Sequence, residues 1–302
     1  MKILLRPRLH GQALSQAMAS DPELAGALGA KPNAAVGHLF TKFFDAAGPL
    51  LPRILALGRA HGERLSFLRD LQFTASELDA ARHLEVICRT TIGQTRPDAD
   101  RTREAYAQEA LQASASRWAV RLPQRIYLTK VVPPATIAHV DQWTGEYVCG
   151  AAAAQALRTS GLSGWTLAPV LHPRTGAAQA GMEHLTTREL LPAALQDATT
   201  FETLDDGPKA PSQPRRYGLI AYARGALDGA PDFARTAEPW DDWRTPEWIV
   251  SQAARRWFIR EGLRGWAFWP VPEEGTDLHR QHLEKWTALL AVLQQAGAEV
   301  MA

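Results

Sequence analysis

The chain has 302 residues, 46% of them apolar and 22% charged, with a formal net charge of +1. That is long enough for one large domain or two, and the near-neutral balance excludes a protein steered by charge toward polyphosphate, nucleic acid or a membrane surface. The two cysteines, Cys88 and Cys149, exclude a disulfide-stapled mini-domain and read as buried, reduced thiols.

At the N-terminus, MKILL is cut off by Arg6, Pro7 and Arg8, which leaves it too short for a signal-peptide core. No apolar stretch approaches the ~18 residues of a membrane helix, so a cytoplasmic location is expected. Lys2–Leu5 reads as a first strand. The rest of the first 73 residues reads as short helices, because Asp21-Pro22, Lys31-Pro32, Gly48-Pro49 and Leu51-Pro52 each disfavour helix before the proline. Leu65, Phe67, Leu68 and Leu71 are expected to form a buried stripe there. Thr74–Glu77 is a capping-box pattern and predicts a helix ending near His83. Leu84–Thr91 sets Leu84, Val86 and Cys88 against Glu85, Ile87 and Arg89, the alternation of a half-buried strand.

Gly93–Arg101 reads as a loop, Thr102–Ala113 as a helix and Arg125–Val132 as a strand stopped by Pro133-Pro134. A strand at Glu146–Cys149, a helix at Ala151–Thr159 and a strand at Trp165–Leu171 follow. His172–Gly181 is turn-rich, Thr187–Gln196 reads as a helix, Asp205–Arg215 as a linker and Arg216–Ala223 as a strand. Leu283, Trp286, Leu290 and Leu293 recur at helical spacing, which predicts an amphipathic C-terminal helix ending before Gly297.

Glu146–Val170 has an echo in Glu247–Val271, 101 positions on, with nine of 25 residues identical and no gap. The shared residues include Gly161/Gly262, Gly164/Gly265, Trp165/Trp266 and Pro169/Pro270. Each copy therefore reads as β-α-β, with Gly161 and Gly262 as left-handed caps. The expected fold is α/β or α+β: two pseudo-repeated half-units packed into one mixed sheet, beside an N-terminal helical region. The boundaries are 1–83 for the helical region, 84–204 and 216–302 for the halves, and 205–215 for the linker. Leu128 to Glu146 spans 18 residues and the corresponding Leu219 to Glu247 spans 28, so the second half has gained about ten near Arg235–Trp243.

Catalytic patterns are sparse. P-loop, G-x-S-x-G and G-x-G-x-x-G patterns in a productive context are missing, and Asp205-Asp206, Asp241-Asp242 and Glu273-Glu274 are sequence neighbours whose side chains diverge. His279 and His282 share a helix face at a metal-compatible spacing, but without further ligands they read as exposed polar residues near a helix start. Neither a metal nor a cofactor is expected. The gained segment differs in character: Ala237–Trp248, AEPWDDWRTPEW, sets tryptophans among fixed charges, the composition of a protein–protein hot spot, in what reads as irregular structure.

The pattern carried by Gly150, Ala153, Leu157, Gly161, Leu162, Gly164, Trp165, Pro169 and Val170, and by Ser251, Ala254, Phe258, Gly262, Leu263, Gly265, Trp266, Pro270 and Val271, resembles the core of bacterial immunity proteins of polymorphic and contact-dependent toxin systems. It is similar in particular to the double-CxxCG family of myxobacterial toxin-exchange systems, over residues 84–290. The CxxCG pairs themselves are absent. The resemblance implies a non-catalytic protein whose partner is a cognate toxin domain, with no nucleic-acid or membrane partner. Glu238, Trp240, Asp241, Asp242, Trp243 and Arg244 are the expected contact residues. The alternative is an enzyme with a cleft between the halves, drawing on His172, Arg174, Glu183 and His184.

Overall fold

The computed structural model describes residues 1–9, 11–93, 125–140, 145–197, 200–201, 215–239 and 246–301. In chain order the first part holds β1 (Lys2–Arg8), α1 (Gln12–Ser20), α2 (Pro22–Leu28), β2 (Ala30–Asn33), β3 (Gly37–Phe40), β4 (Phe44–Asp45), α3 (Leu50–Ala60), β5 (Ser66–Gln72) and α4 (Ala75–Ala80). Next come β6 (His83–Cys88), β7 (Ile126–Tyr127), β8 (Ile137–His139), β9 (Tyr147–Gly150), α5 (Ala151–Arg158), β10 (Thr166–Leu171), β11 (Ala178–Thr186), β12 (Thr200–Phe201) and β13 (Arg215–Arg216). The chain continues with β14 (Phe233–Pro239), β15 (Pro246–Ser251), α6 (Gln252–Arg260), β16 (Trp266–Val271), α7 (Asp277–Gln295) and β17 (Glu299–Met301). The class is mixed α/β, as the sequence predicts.

The chain divides into two compact units, Met1–Glu77 with Arg280–Ala302, and Leu78–His279. In the first unit the sheet order is β17-β5-β1-β4. The short N-terminal helices that the sequence predicts are present, and the run around Leu65 departs from that reading. Leu65, Phe67 and Leu71 are buried at a period of two, on the edge and body of strand β5, so the apolar run is β rather than helical. Asp21 explains why Asp21-Pro22 starts a helix as well as ending one. Its carboxylate accepts from the N–H groups of Glu23 and Leu24 at 3.0 and 3.1 Å, and Pro22 occupies the first helical position, where no N–H is needed. The capping box forms as predicted: Thr74 Oγ1 accepts from Glu77 N at 3.2 Å, and Glu77 Oε2 from Thr74 N at 2.7 Å.

The second unit contains two sheets, ordered β7-β10-β11-β9-β8 and β14-β15-β6-β16. The expectation of one mixed sheet is thereby corrected, although both copies have the expected order of strand, short helix and strand. In each copy the two strands lie apart, with an antiparallel strand inserted between them. Between β9 and β10 that strand is β11, which follows directly in the chain; between β15 and β16 it is β6, from far upstream. The registers correspond residue for residue: Cys149 and Pro169 flank Glu183, while Val250 and Pro270, each 101 positions on, flank Leu84. Two contiguous stretches, His83–Leu171 and Met182–Val271, thus each lend their first strand to the sheet of the other.

Backbone bonds between the copies are reciprocal as well. Ile137 N donates to Arg264 O at 2.9 Å, and Phe233 N donates to Ser163 O at 3.1 Å, with Ser163 and Arg264 at corresponding places. This accounts for the second glycine of each copy. Gly164 and Gly265 have φ of 84° and 104°, and a Cβ on either would lie 2.3 Å from Phe233 O or 2.0 Å from Ile137 O. The copies share one apolar core, in which corresponding residues meet: Tyr147 and Trp248 pack edge to face with centroids 5.6 Å apart, and Trp257 Nε1 donates to Ala156 O at 3.3 Å.

Other expectations shift. Arg125–Val132 is strand only at Ile126–Tyr127. Thr187–Gln196 is not helical, because Leu191 N and Leu195 N donate to Arg235 O and Ala221 O, both at 2.8 Å, instead of along a helix. Arg216–Ala223 is strand only at its start and bridges to Glu273 through Tyr222. Thr102–Ala113 and most of the Asp205–Arg215 linker lie outside the described residues. Among the described residues no helix is long and apolar enough to cross a membrane.

Candidate functional site

Residues 237–248, expected to be irregular, begin and end in strand. Strands β14 and β15 pair antiparallel, with Arg235 opposite Trp248 and Pro239 opposite Pro246, and the register shifts in between. Thr236 fastens that irregularity: its hydroxyl donates to Glu238 O at 2.6 Å and accepts from Glu247 N at 3.0 Å. The outer edge of β14 is also bound, Arg235 N donating to Glu189 O at 2.9 Å.

The base of the hairpin is a buried polar cluster. Arg235 and Glu146 have side chains 1% and 0% exposed and pair at 2.9 Å between Nη2 and Oε1. The second oxygen of Glu146 hydrogen-bonds His184 Nε2. The Arg235 guanidinium also lies 4.7 Å from the centroid of the Trp248 ring, a cation–π contact strengthened by burial. Trp248 Nε1 donates to Gly145 O at 2.9 Å, and Tyr147 sets its ring against both Trp248 and Trp266. One carboxylate therefore pairs with an arginine and a histidine contributed by two different strands. Such a cluster fixes the arrangement of the strands around it.

Glu238 is the one expected contact residue within the described part, and it is 8% exposed. Its Oε1 accepts from Ala194 N at 3.0 Å, and burial pushes its carboxyl above the ordinary range. It anchors the hairpin stem from inside, and the expectation that it faces a partner is corrected accordingly. Trp240, Asp241, Asp242, Trp243 and Arg244 lie outside the described residues. They belong to the segment 240–245 that joins β14 to β15.

The residues proposed for a cleft do not converge. His184 is buried in the cluster just described, whereas Glu183, its neighbour on the strand and so on the other face, pairs with Arg158. His172 Nδ1 accepts from Arg174 N at 3.3 Å within its own turn. His279 and His282 are both buried, correcting the exposed reading. Gly275 N donates to His279 Nδ1 at 3.3 Å, so the ring proton sits on Nε2, which reaches Asp197 Oδ2 at 3.1 Å. His282 packs edge-on against Trp286 in the first unit, with centroids 6.4 Å apart. Burial drives the Cys149 thiol up, as expected of an inert core cysteine. The first unit also holds a largely apolar groove of about 460 Å³, between Ile3, Leu51 and Leu289, with Lys285 at its edge.

The cluster of Glu146, His184 and Arg235 escapes a sequence reading. Its one trace is Glu146, which recurs as Glu247 in the second copy. The chain matches no protein-family model, and no curated protein matches it.

Proposed function

We propose that the chain is a non-catalytic binding protein of the toxin-immunity type, acting in the cytoplasm, which neutralises a co-encoded toxin domain by occupying it. The resemblance in the repeated glycine, tryptophan and proline pattern supports the class of protein. The observation that carries the reading is the fixed stem of the β14–β15 hairpin. Arg235, Thr236, Glu238 and Trp248 hold both strands by buried contacts, and the six residues joining those strands include Trp240, Asp241, Asp242, Trp243 and Arg244.

Tryptophans and charged groups on a preorganised support are what concentrated binding energy requires, because little conformational entropy remains to be lost on association. Two aspartates suit a cationic toxin surface and raise the rate of encounter with it. The test is affinity capture of the full chain from its native host. A single small cytotoxic domain should co-purify, and its toxicity should disappear when this chain is co-expressed. Capture of no such domain, or undiminished toxicity on co-expression, overturns the proposal.

A further inference from the structure

The exchange of first strands between the two copies raises the question of what sends each strand to the other copy. Strand β6 leads into its own copy, and the slot between β9 and β10 of that copy has the same register as the slot it actually fills between β15 and β16. In a chain made from its N-terminus, residues 83–171 are complete before β11 exists to occupy that nearer slot. Apolar fit discriminates weakly, since Val86 and Leu185 hold corresponding places opposite Phe268 and Leu167.

The two central strands differ sharply at one buried position. Glu85 lies between Ile249 and Trp269, and His184 lies between Val148 and Ala168, the one pair displaced from the other by 101 positions. Glu85 is bound by both terminal nitrogens of Arg216, one at 2.8 Å to Oε2, and Arg216 Nη1 also donates to Gly218 O at 3.0 Å. His184 is bound by Glu146, which also holds Arg235.

We propose that Glu85 is a selector for the strand exchange. In the slot of its own copy it would sit where His184 sits and leave two buried carboxylates, Glu85 and Glu146, to share the single guanidinium of Arg235. In the slot of the other copy it meets Arg216. The reverse error, with His184 in the Glu85 position, would leave the buried guanidinium of Arg216 without its carboxylate. A buried carboxylate without a cation of its own is strongly disfavoured, whereas in the observed arrangement Glu85 has Arg216 and Glu146 has Arg235, so one buried residue per strand specifies the topology.

The test traps the strand during refolding of the full chain, with Cys88 and Cys149 replaced by alanine. Cysteines at 86 and 268 report the exchanged arrangement, and cysteines at 86 and 167 report strand β6 in its own copy. With Glu85 present, only the 86–268 crosslink should form. The Glu85→His substitution removes the surplus carboxylate beside Glu146 and takes from Arg216 its carboxylate partner, and should raise the 86–167 crosslink at least tenfold. Should that chain aggregate, Glu85→Gln combined with Arg216→Met keeps a neutral pair of similar size and should raise the same crosslink. Exclusive 86–268 crosslinking in whichever variant refolds overturns the proposal.

Discussion

Arg235 on β14 reaches Glu146, the residue before β9, at 2.9 Å, and the two side chains are 1% and 0% exposed. Arg235 lies in one sheet, and Glu146 leads into a strand of the other. Because Glu146 also holds His184 on β11, a single carboxylate ties together elements from both copies at the foot of the hairpin proposed for partner binding. The pair is dry, so its energetics are those of a buried ion pair.

Replacing Arg235 with methionine leaves Glu146 buried without its cation. Stability should fall by about 3–5 kcal/mol, as removal of one member of a buried pair does elsewhere. The double change Glu146→Gln with Arg235→Met leaves no charge unpaired and should recover most of that loss. Urea unfolding monitored by tryptophan fluorescence distinguishes the two variants. Equal destabilisation would show that the pair contributes through shape alone.

The four glycines of the repeat should separate into two classes. At Gly164 and Gly265 an added Cβ meets a carbonyl of the other copy at 2.3 and 2.0 Å, on top of an unfavourable positive φ. Alanine there should cost above ~3 kcal/mol, since backbone strain and a backbone clash add. At Gly161 and Gly262, with φ of 73° and 62° and open space around them, alanine should cost only about 1–2 kcal/mol. Thermal denaturation of the four single variants checks the division.

Glu238 gives a pH dependence with a definite sign. Burial raises its carboxyl pKa in the folded state above the ordinary value of 4.5, so the unfolded chain releases the proton more readily. The stability linked to this group is fully present below the unfolded pKa and is lost as the pH rises through the folded one. Relative to Glu238→Gln, the parent should therefore lose stability as the pH rises above about 4.5. Paired denaturation curves at pH 4, 6 and 8 measure the difference. A constant gap across that range would mean that the carboxyl titrates normally.

The β-α-β units, their caps and the capping box at Thr74 were legible because each depends on residues a few positions apart. Glu85 shows what was not. Its place in an alternating run marks it as the solvent face of a half-buried strand, yet it lies in the middle of a sheet, paired with an arginine 131 positions away. His279 was misread for the same reason, its partner Asp197 being 82 positions distant. A buried polar group is recognisable only with its partner in view, and neither spacing carries a local signal. The run around Leu65 and Leu71 failed differently: four apolar residues in seven positions fit both periods, and pairing with β1 decides for the strand. In the gained segment the composition draws attention to Trp240–Arg244, but only the packing around Ala194 shows that Glu238 is buried.

The most direct measurement of the central claim is a calorimetric titration of the captured toxin domain with the parent chain and with a variant in which Trp240, Asp241 and Asp242 are all alanine. The hairpin assignment predicts that affinity falls at least about a hundredfold, the scale of losing one or two hot spots, while the thermal midpoint of the variant stays that of the parent. Unchanged affinity in a variant that folds normally would contradict it.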